Sequence, residues 1–410
     1  MSLDRFLKAL ECELNELKSS GRAKRDEKVV VGIKKGYVDK GARYYIQNND
    51  KKEFIRMNSN SYLGMSLRDE LIEEEKEVAE NFGVGPGAVR FISGTYIHHK
   101  KLEKRLARFH KRDDCIIFSS AYSTVMGILS PIITSDTIVI SDELNHNCII
   151  NAIKLSRPRE KLIYKHLDME ELENHIKSSL GKCSRVIVIT DGIFSMRGDY
   201  APLDVIMNLA IEYDDKFSGN IIVVVDDSHG VGVFGKTGRG TEEYTGTKVD
   251  ILIGTLGKAF GVNGGYLVGS SVLVEYLREK SPFYIYSNPI TSSEAAAAIK
   301  AIDIIDSDEG IRLLERLRTL TKRFENGLKK IGYEIIESDH PIVPVMIRDT
   351  EKTKELVNFL FENGILVTGL NYPVVPKGDE EIRFQISCEH TMTDIDYVLD
   401  VLRRYKAKVS

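Results

Sequence analysis

Ile221-Ile222-Val223-Val224-Val225-Asp226-Asp227-Ser228-His229 is the stretch whose reading decides the fold. Five β-branched residues run without a polar interruption, then give way at once to two carboxylates, a hydroxyl and an imidazole. Continuous apolarity predicts a strand covered on both faces, as in a parallel sheet between helix layers; a strand with one wet face would alternate instead. Similar runs stand at Cys115–Phe118, Thr137–Ile140, Val186–Thr190 and Ile251–Ile253, separated by longer amphipathic stretches. Residues 90–270 therefore read as a mainly parallel α/β domain.

Ligands of an open parallel sheet lie beyond the carboxyl ends of its strands. Polar groups recur at that address: Ser119, Ser120, Ala121 and Tyr122 after the first run, then Asp142, Asn145 and His146. Asp191-Gly192-Ile193-Phe194-Ser195 follows the next, then Asp226 to His229, and finally Thr255 and Lys258. One crevice collects them all.

Outward from this centre, the C-terminal part reads as α+β. A helical region runs from Glu294 to Arg323, strands are expected at Ile342–Ile347 and Ile382–Ile386, and a helix around Glu351–Asn363. Leu3, Leu7, Leu10, Leu14 and Leu17 line one stripe of an opening helix, too short for an independent coiled coil. The expected organisation is an N-terminal segment, 1–56, that packs with the small domain and shares its sheet, a large domain over 57–299, and a small C-terminal domain over 300–410.

With 410 residues, the chain can bury a sizeable core without staples. Its 57 basic and 61 acidic residues give a net charge of −4, so no global field draws it to nucleic acid or anionic lipid. Five scattered cysteines, Cys12, Cys115, Cys148, Cys183 and Cys388, fit neither a disulfide framework nor a metal site. The opening Met1-Ser2-Leu3-Asp4-Arg5 lacks a signal-peptide core, and nowhere do 18 apolar residues run together. The reading is a cytoplasmic protein with a small-molecule partner, no membrane and no nucleic acid.

Two motifs mislead. Gly230-Val231-Gly232-Val233-Phe234-Gly235 satisfies G-x-G-x-x-G, but Lys236-Thr237-Gly238-Arg239-Gly240 cannot open the helix a dinucleotide site needs. Gly254-Thr255-Leu256-Gly257-Lys258-Ala259 resembles a phosphate loop, yet Leu252 and Ala259 stand where a Walker A loop requires Gly and Ser or Thr.

The crevice chemistry suits a different ligand. A lysine amine is useful as a Schiff-base nucleophile where its pKa is lowered. A carboxylate at a strand end needs a cationic partner to stay charged, and a pyridinium nitrogen is one. His146 and His229 can supply a flat face and a hydrogen bond, and Thr255 with the turn at Ser120 and Ala121 can hold a phosphate. Pyridoxal 5'-phosphate has each of these features. Taken singly, the residues read more plainly: Asp226 as a helix cap, Lys258 as a surface amine, Gly264-Gly265 as a turn, and His98-His99 as an exposed helix start.

Val225-Asp226-Asp227-Ser228-His229-Gly230-Val231-Gly232, Gly238-Arg239-Gly240 and Gly254-Thr255-Leu256-Gly257-Lys258-Ala259 together resemble the α-oxoamine synthases. Asn60-Ser61-Tyr62-Leu63-Gly64, Val89 to Thr95, Leu144-Asn145-His146 and Asp191 to Met196 extend the resemblance over about residues 55–400. It implies a PLP-dependent transferase of fold type I: an α/β fold with a mainly parallel large domain and a smaller α+β C-terminal domain. By the resemblance, Lys258 forms the cofactor's Schiff base and moves the Cα proton, Asp226 pairs with the pyridine nitrogen, and His146 stacks on the ring. Ser195 and His229 bond the phenolic oxygen; Thr255 and the backbone around Ala121 and Tyr122 hold the phosphate; Ser287 reaches it from the second copy of a homodimer with a shared active site. Arg383 grips the amino acid carboxylate, assisted by Asn60.

The string Tyr372-Pro373-Val374-Val375-Pro376-Lys377-Gly378 resembles the glycine C-acetyltransferase (2-amino-3-ketobutyrate CoA ligase) branch. That branch joins glycine to acetyl-CoA, giving 2-amino-3-oxobutanoate and CoA, and runs in reverse in threonine degradation. The alternatives are an 8-amino-7-oxononanoate synthase or serine palmitoyltransferase-like condensation, or, further off, an aminotransferase or lyase. Three departures stand out. Arg197 occupies a place where the ligase branch usually has Asp, the loop Gly261-Val262-Asn263-Gly264-Gly265 is a residue shorter, and His98 and His99 compete for one family position, with Leu102-Glu103 favouring His99.

Overall fold

The computed structural model describes residues 2–20, 23, 27–372 and 374–409. Of the segments named above, residues 1, 21, 22, 24–26, 373 and 410 lie outside the described residues.

The five apolar runs become the strands Asp114–Phe118, Thr137–Asp142, Arg185–Asp191, Ile221–Asp226 and Ile251–Thr255. With Glu160–Tyr164 and Gly265–Gly269 they form one seven-stranded sheet. From one edge its order is Asp114–Phe118, Gly265–Gly269, Ile251–Thr255, Ile221–Asp226, Arg185–Asp191, Thr137–Asp142, Glu160–Tyr164. All neighbours pair in parallel except Gly265–Gly269, which is antiparallel to both of its own. Arg185–Asp191 and Ile221–Asp226 are buried along nearly their whole length, which is why their sequences do not alternate.

The sheet has a separate apolar cluster on each side. Ile117, Ile140, Val188 and Val225 point into one; Ile116, Val139, Ile189 and Val224 point into the other. Successive residues of a strand face opposite ways, so a single run of β-branched residues serves both layers.

In the C-terminal part, Glu334–Ile335, Ile342–Met346, Glu381–Gln385 and Thr368–Leu370 make an antiparallel sheet. Ile365–Leu366 pairs in parallel with Ile55–Arg56, so early and late residues share a second four-stranded sheet with Val30–Lys34 and Arg43–Ile46. Three expectations need correcting. The helical region from Glu294 is two helices, Ser292–Ile305 and Asp308–Ile331, because Ser307 caps the second through the Glu309 amide. Gly265 is not part of a plain turn but opens a buried strand. His99 is buried rather than exposed: Nδ1 accepts from the Tyr96 amide at 3.0 Å, and Nε2 lies 2.9 Å from the Ile290 carbonyl. His98 lies half-buried beside Ser292.

Among the described residues no helix is long and apolar enough to cross a membrane.

Candidate active site

The strand ends converge as the sequence suggests. A cavity is lined by Ala121, Tyr122, His146, Cys148, Asp191, Ile193, Ser195, Asp226, Ser228, His229 and Lys258. Seven residues singled out from the sequence share it: Ala121, Tyr122, His146, Ser195, Asp226, His229 and Lys258.

Asp191 and Asp226 end adjacent strands and are paired in register, so two buried carboxyl groups stand side by side. Asp226 caps no helix. Its Oδ1 accepts from the Ser228 amide at 3.1 Å and hydroxyl at 2.6 Å, and its Oδ2 faces the Cys148 thiol at 3.7 Å. Asp191 accepts the His146 amide at 3.1 Å. Burial, reinforced by Asp226, pushes the Asp191 carboxyl well above the usual range. Two carboxyl groups this close cannot both ionise cheaply.

Lys258 sits on the loop between the antiparallel strands Ile251–Thr255 and Gly265–Gly269. The loop is closed by Leu256 N–H to Gly264 O at 2.9 Å and by Val262 N–H to Leu256 O at 3.1 Å. Among the described residues the Lys258 amine has no hydrogen-bond or ion-pair partner. Burial brings its pKa down to about 8, against the pull of Asp226 and Asp191.

His146 N-caps the helix Asn147–Ser156: its Nδ1 accepts from the Cys148 amide at 3.3 Å. Burial lowers its pKa, so the ring is neutral. Burial likewise holds His229 well below the normal imidazole value, while its Nδ1 lies 2.8 Å from the Tyr62 phenol and its carbonyl 2.8 Å from His340 Nε2.

The phosphate end of such a cofactor needs backbone donors. Ser120 caps the helix Ala121–Ile132 by accepting the Ser123 amide at 3.1 Å, and Ala121 and Tyr122 open that helix at the cavity. Gly265 permits this: a Cβ there would fall 2.4 Å from Thr124 Oγ1 and 2.6 Å from the Ala121 amide nitrogen. A neutral flat ring, a buried carboxyl group, an amine without a partner among the described residues and a helix N-terminus fit pyridoxal 5'-phosphate.

Four expected residues lie outside this cavity. The Thr255 hydroxyl donates to Gly264 O at 3.2 Å and accepts from the Gly257 amide at 3.1 Å, knotting the lysine loop. Asn60 lines a larger, adjoining cavity that Lys258 also borders, with Ser59, Ser61 and Asn263. Arg383 donates to Ser195 O at 2.5 Å and reaches Asn60 Oδ1 at 3.5 Å, while Gln385 donates to the same oxygen at 2.7 Å. Ser287 is half-buried after the short helix Pro282–Ile285 and borders neither cavity.

Sequence reasoning gave no role to Asp191, Cys148, Ser228 or Tyr62. Asp191 was visible as a strand-end carboxylate, and Tyr62 stands two residues from Asn60. Cys148 carries no signal of its own: only the helix turn that follows His146 brings it into the site.

The fold and site define a pyridoxal-phosphate enzyme of fold type I. The family model for class I and II aminotransferases matches residues 52–402. The chain is 42% identical over 351 residues to 8-amino-7-oxononanoate synthase 1 of Bacillus velezensis, covering 85% of this chain and 87% of that protein. It is 40% identical over 345 residues to the mitochondrial 2-amino-3-ketobutyrate coenzyme A ligase of Bos taurus, covering 83% and 80%. A solved structure of SPT with PLP internal aldimine matches with a TM-score of 0.86 at 28% identity, over 99% of this chain and 98% of that one. The chain belongs to the class I and II aminotransferase family and, within it, to the α-oxoamine synthases.

Proposed function

We propose that the chain is a C-acyltransferase that joins glycine to the acetyl group of acetyl-CoA, releasing CoA and 2-amino-3-oxobutanoate. The observation that carries this reading is the cavity that Lys258 shares with Asp226, His146 and the helix N-terminus at Ala121, bordered on the far side of Lys258 by the larger space lined by Asn60. The bound cofactor supplies an electron sink for the pair left when the substrate's Cα proton departs.

The chain's residues do the rest. Lys258, with its pKa near 8, is partly neutral at physiological pH, so its amine can bond a carbonyl carbon and later carry the Cα proton. With the cofactor bound, Asp226 would pair with the ring nitrogen, His146 would stack on the ring, and His229 and Ser195 would bond the phenolic oxygen. The amides of Ala121 and Tyr122, with Thr255 and a second copy's Ser287, would take the phosphate. Arg383 orients the carboxylate with Asn60 beside it, and the active site is shared within a homodimer.

A second reading, alanine with pimeloyl-CoA, is favoured by the Bacillus velezensis relative. Thiol release from the reconstituted protein, with glycine, alanine or serine against acetyl-, pimeloyl- or palmitoyl-CoA, decides. Glycine with acetyl-CoA is expected to turn over fastest. Alanine with pimeloyl-CoA in first place would transfer the assignment to the second reading, and no CoA release from any pair would sink acyl transfer.

A further inference from the structure

The two oxygens of Asp226 meet different neighbours. Oδ1 is filled by Ser228, which donates its amide at 3.1 Å and its hydroxyl at 2.6 Å. Among the described residues, Oδ2 has one hydrogen-bond donor, the Cys148 thiol at 3.7 Å. A thiol is a weak donor and a carboxylate oxygen accepts more than one hydrogen bond, so Oδ2 is the oxygen left open to a cation. The same sulfur stands 2.9 Å from His146 Nδ1, which also accepts the Cys148 amide at 3.3 Å.

The helix start explains this convergence. His146 is the N-cap of Asn147–Ser156 and Cys148 is the second helical residue, so the amide and the sulfur of one residue both reach Nδ1. Nδ1 is therefore an acceptor, and the neutral imidazole carries its proton on Nε2. Cys148 is 2% exposed and packs with Ile149, Ile189 and Val224 in one of the two apolar clusters that flank the sheet. Burial, then Asp226 and Asp191, raise the thiol pKa, so the sulfur keeps the proton it donates. One S–H thus stands between two acceptors on separate elements, a helix cap and the end of the strand Ile221–Asp226.

We propose that Cys148 is a positioning residue: its thiol ties His146 to Asp226 and fixes the imidazole face and the open Oδ2 relative to each other, ready for the cofactor ring. This rests on the reading of His146 and Asp226 as the groups that meet that ring.

Two measurements test it. The first is the Kd for pyridoxal 5'-phosphate, by absorbance titration of the cofactor-free protein. Cys148→Ala and Cys148→Ser remove nearly the same volume and differ in the donor. Cys148→Ala is expected to weaken the cofactor about 5- to 10-fold, and Cys148→Ser to stay within about 2-fold of the parent. A parental Kd in Cys148→Ala, or a Cys148→Ser protein as weak as Cys148→Ala, overturns the proposal, because the sulfur then only fills space. The second is the S–H stretching band of Cys148 in the infrared spectrum of the cofactor-free protein, isolated by subtracting the Cys148→Ala spectrum. Asp226→Asn, with its own Cys148→Ala control, is expected to move that band to higher frequency, since an amide oxygen accepts more weakly than a carboxylate. A band that stays in place overturns the tie to Oδ2. Asp226→Asn also separates the two failures: if it binds cofactor as the parent does, the reading of Asp226 falls. If it weakens the cofactor while Cys148→Ala does not, the tie alone falls. Should Cys148→Ala not fold, Cys148→Val serves in its place.

Discussion

Exchanging Asp226 and Asp191 for Asn, one at a time, decides which of two adjacent buried carboxyl groups carries the charge. The side chains end neighbouring strands in register, and burial and Asp226 itself raise the Asp191 pKa well above the usual range. Asp226→Asn removes the carboxyl group assigned to the ring cation; breaking a buried ion pair costs about 3–5 kcal/mol, or roughly two to four powers of ten in turnover. Asp191→Asn removes the carboxyl group whose proton burial and Asp226 favour, and the amide oxygen can still accept the His146 N–H. Its turnover is expected within about 5-fold of the parent. The assay is cofactor affinity by absorbance titration together with CoA release. Cofactor affinity within threefold of the parent in Asp226→Asn, or greater damage from Asp191→Asn, would refute the assignment of charge.

Lys258→Ala is expected to abolish turnover with an unchanged elution volume and far-ultraviolet dichroism, and surviving activity would remove the lysine from the chemistry. Gly265→Ala places a methyl against Thr124 and the Ala121 amide; backbone cannot yield easily there, so a loss of about 1–3 kcal/mol in stability is expected, with phosphate-dependent cofactor affinity falling alongside, checked by denaturant melts and titration. His166, between Asp142 at 3.1 Å and Asp199 at 3.1 Å, has its pKa raised to about 9, burial opposing and the two carboxylates prevailing. A raised histidine stabilises fully below its unfolded value near 6.5 and loses that contribution as pH climbs through about 9. His166→Asn should therefore cost about 3 kcal/mol more at pH 5.5 than at pH 10, and equal losses at both would contradict the bridge.

The central strands were legible because burial on two faces writes itself as unbroken β-branched runs, and the strand-end address then collected Asp226, His146 and Lys258 without any view of the fold. Elements that obey other constraints were not. Gly265-Tyr266-Leu267-Val268-Gly269 is short and framed by glycines, so it reads as a turn, and nothing local tells that it runs against its neighbours. Glu160–Tyr164, an edge strand, has a partly exposed Glu-Lys-Leu-Ile-Tyr sequence that no apolar run announces. The break at Asp306 and Ser307 is invisible to helical periodicity, which continues on both sides. In the site, Cys148 and Tyr62 act through residues distant in sequence, and only packing reveals them.

The placement of Gly265–Gly269 also dictates an order of events on the ribosome. Asp114–Phe118 has that strand as its single neighbour in the sheet, so a segment synthesised early is left without a ladder partner until the nascent chain has been extended through residue 269. The turn of helix at Ala121, packed on Gly265, waits with it. A growing polypeptide stalled before that point holds the central parallel strands but neither the edge nor the anion cradle, and is the species on which chaperones and proteases of quality control would find an unpaired strand.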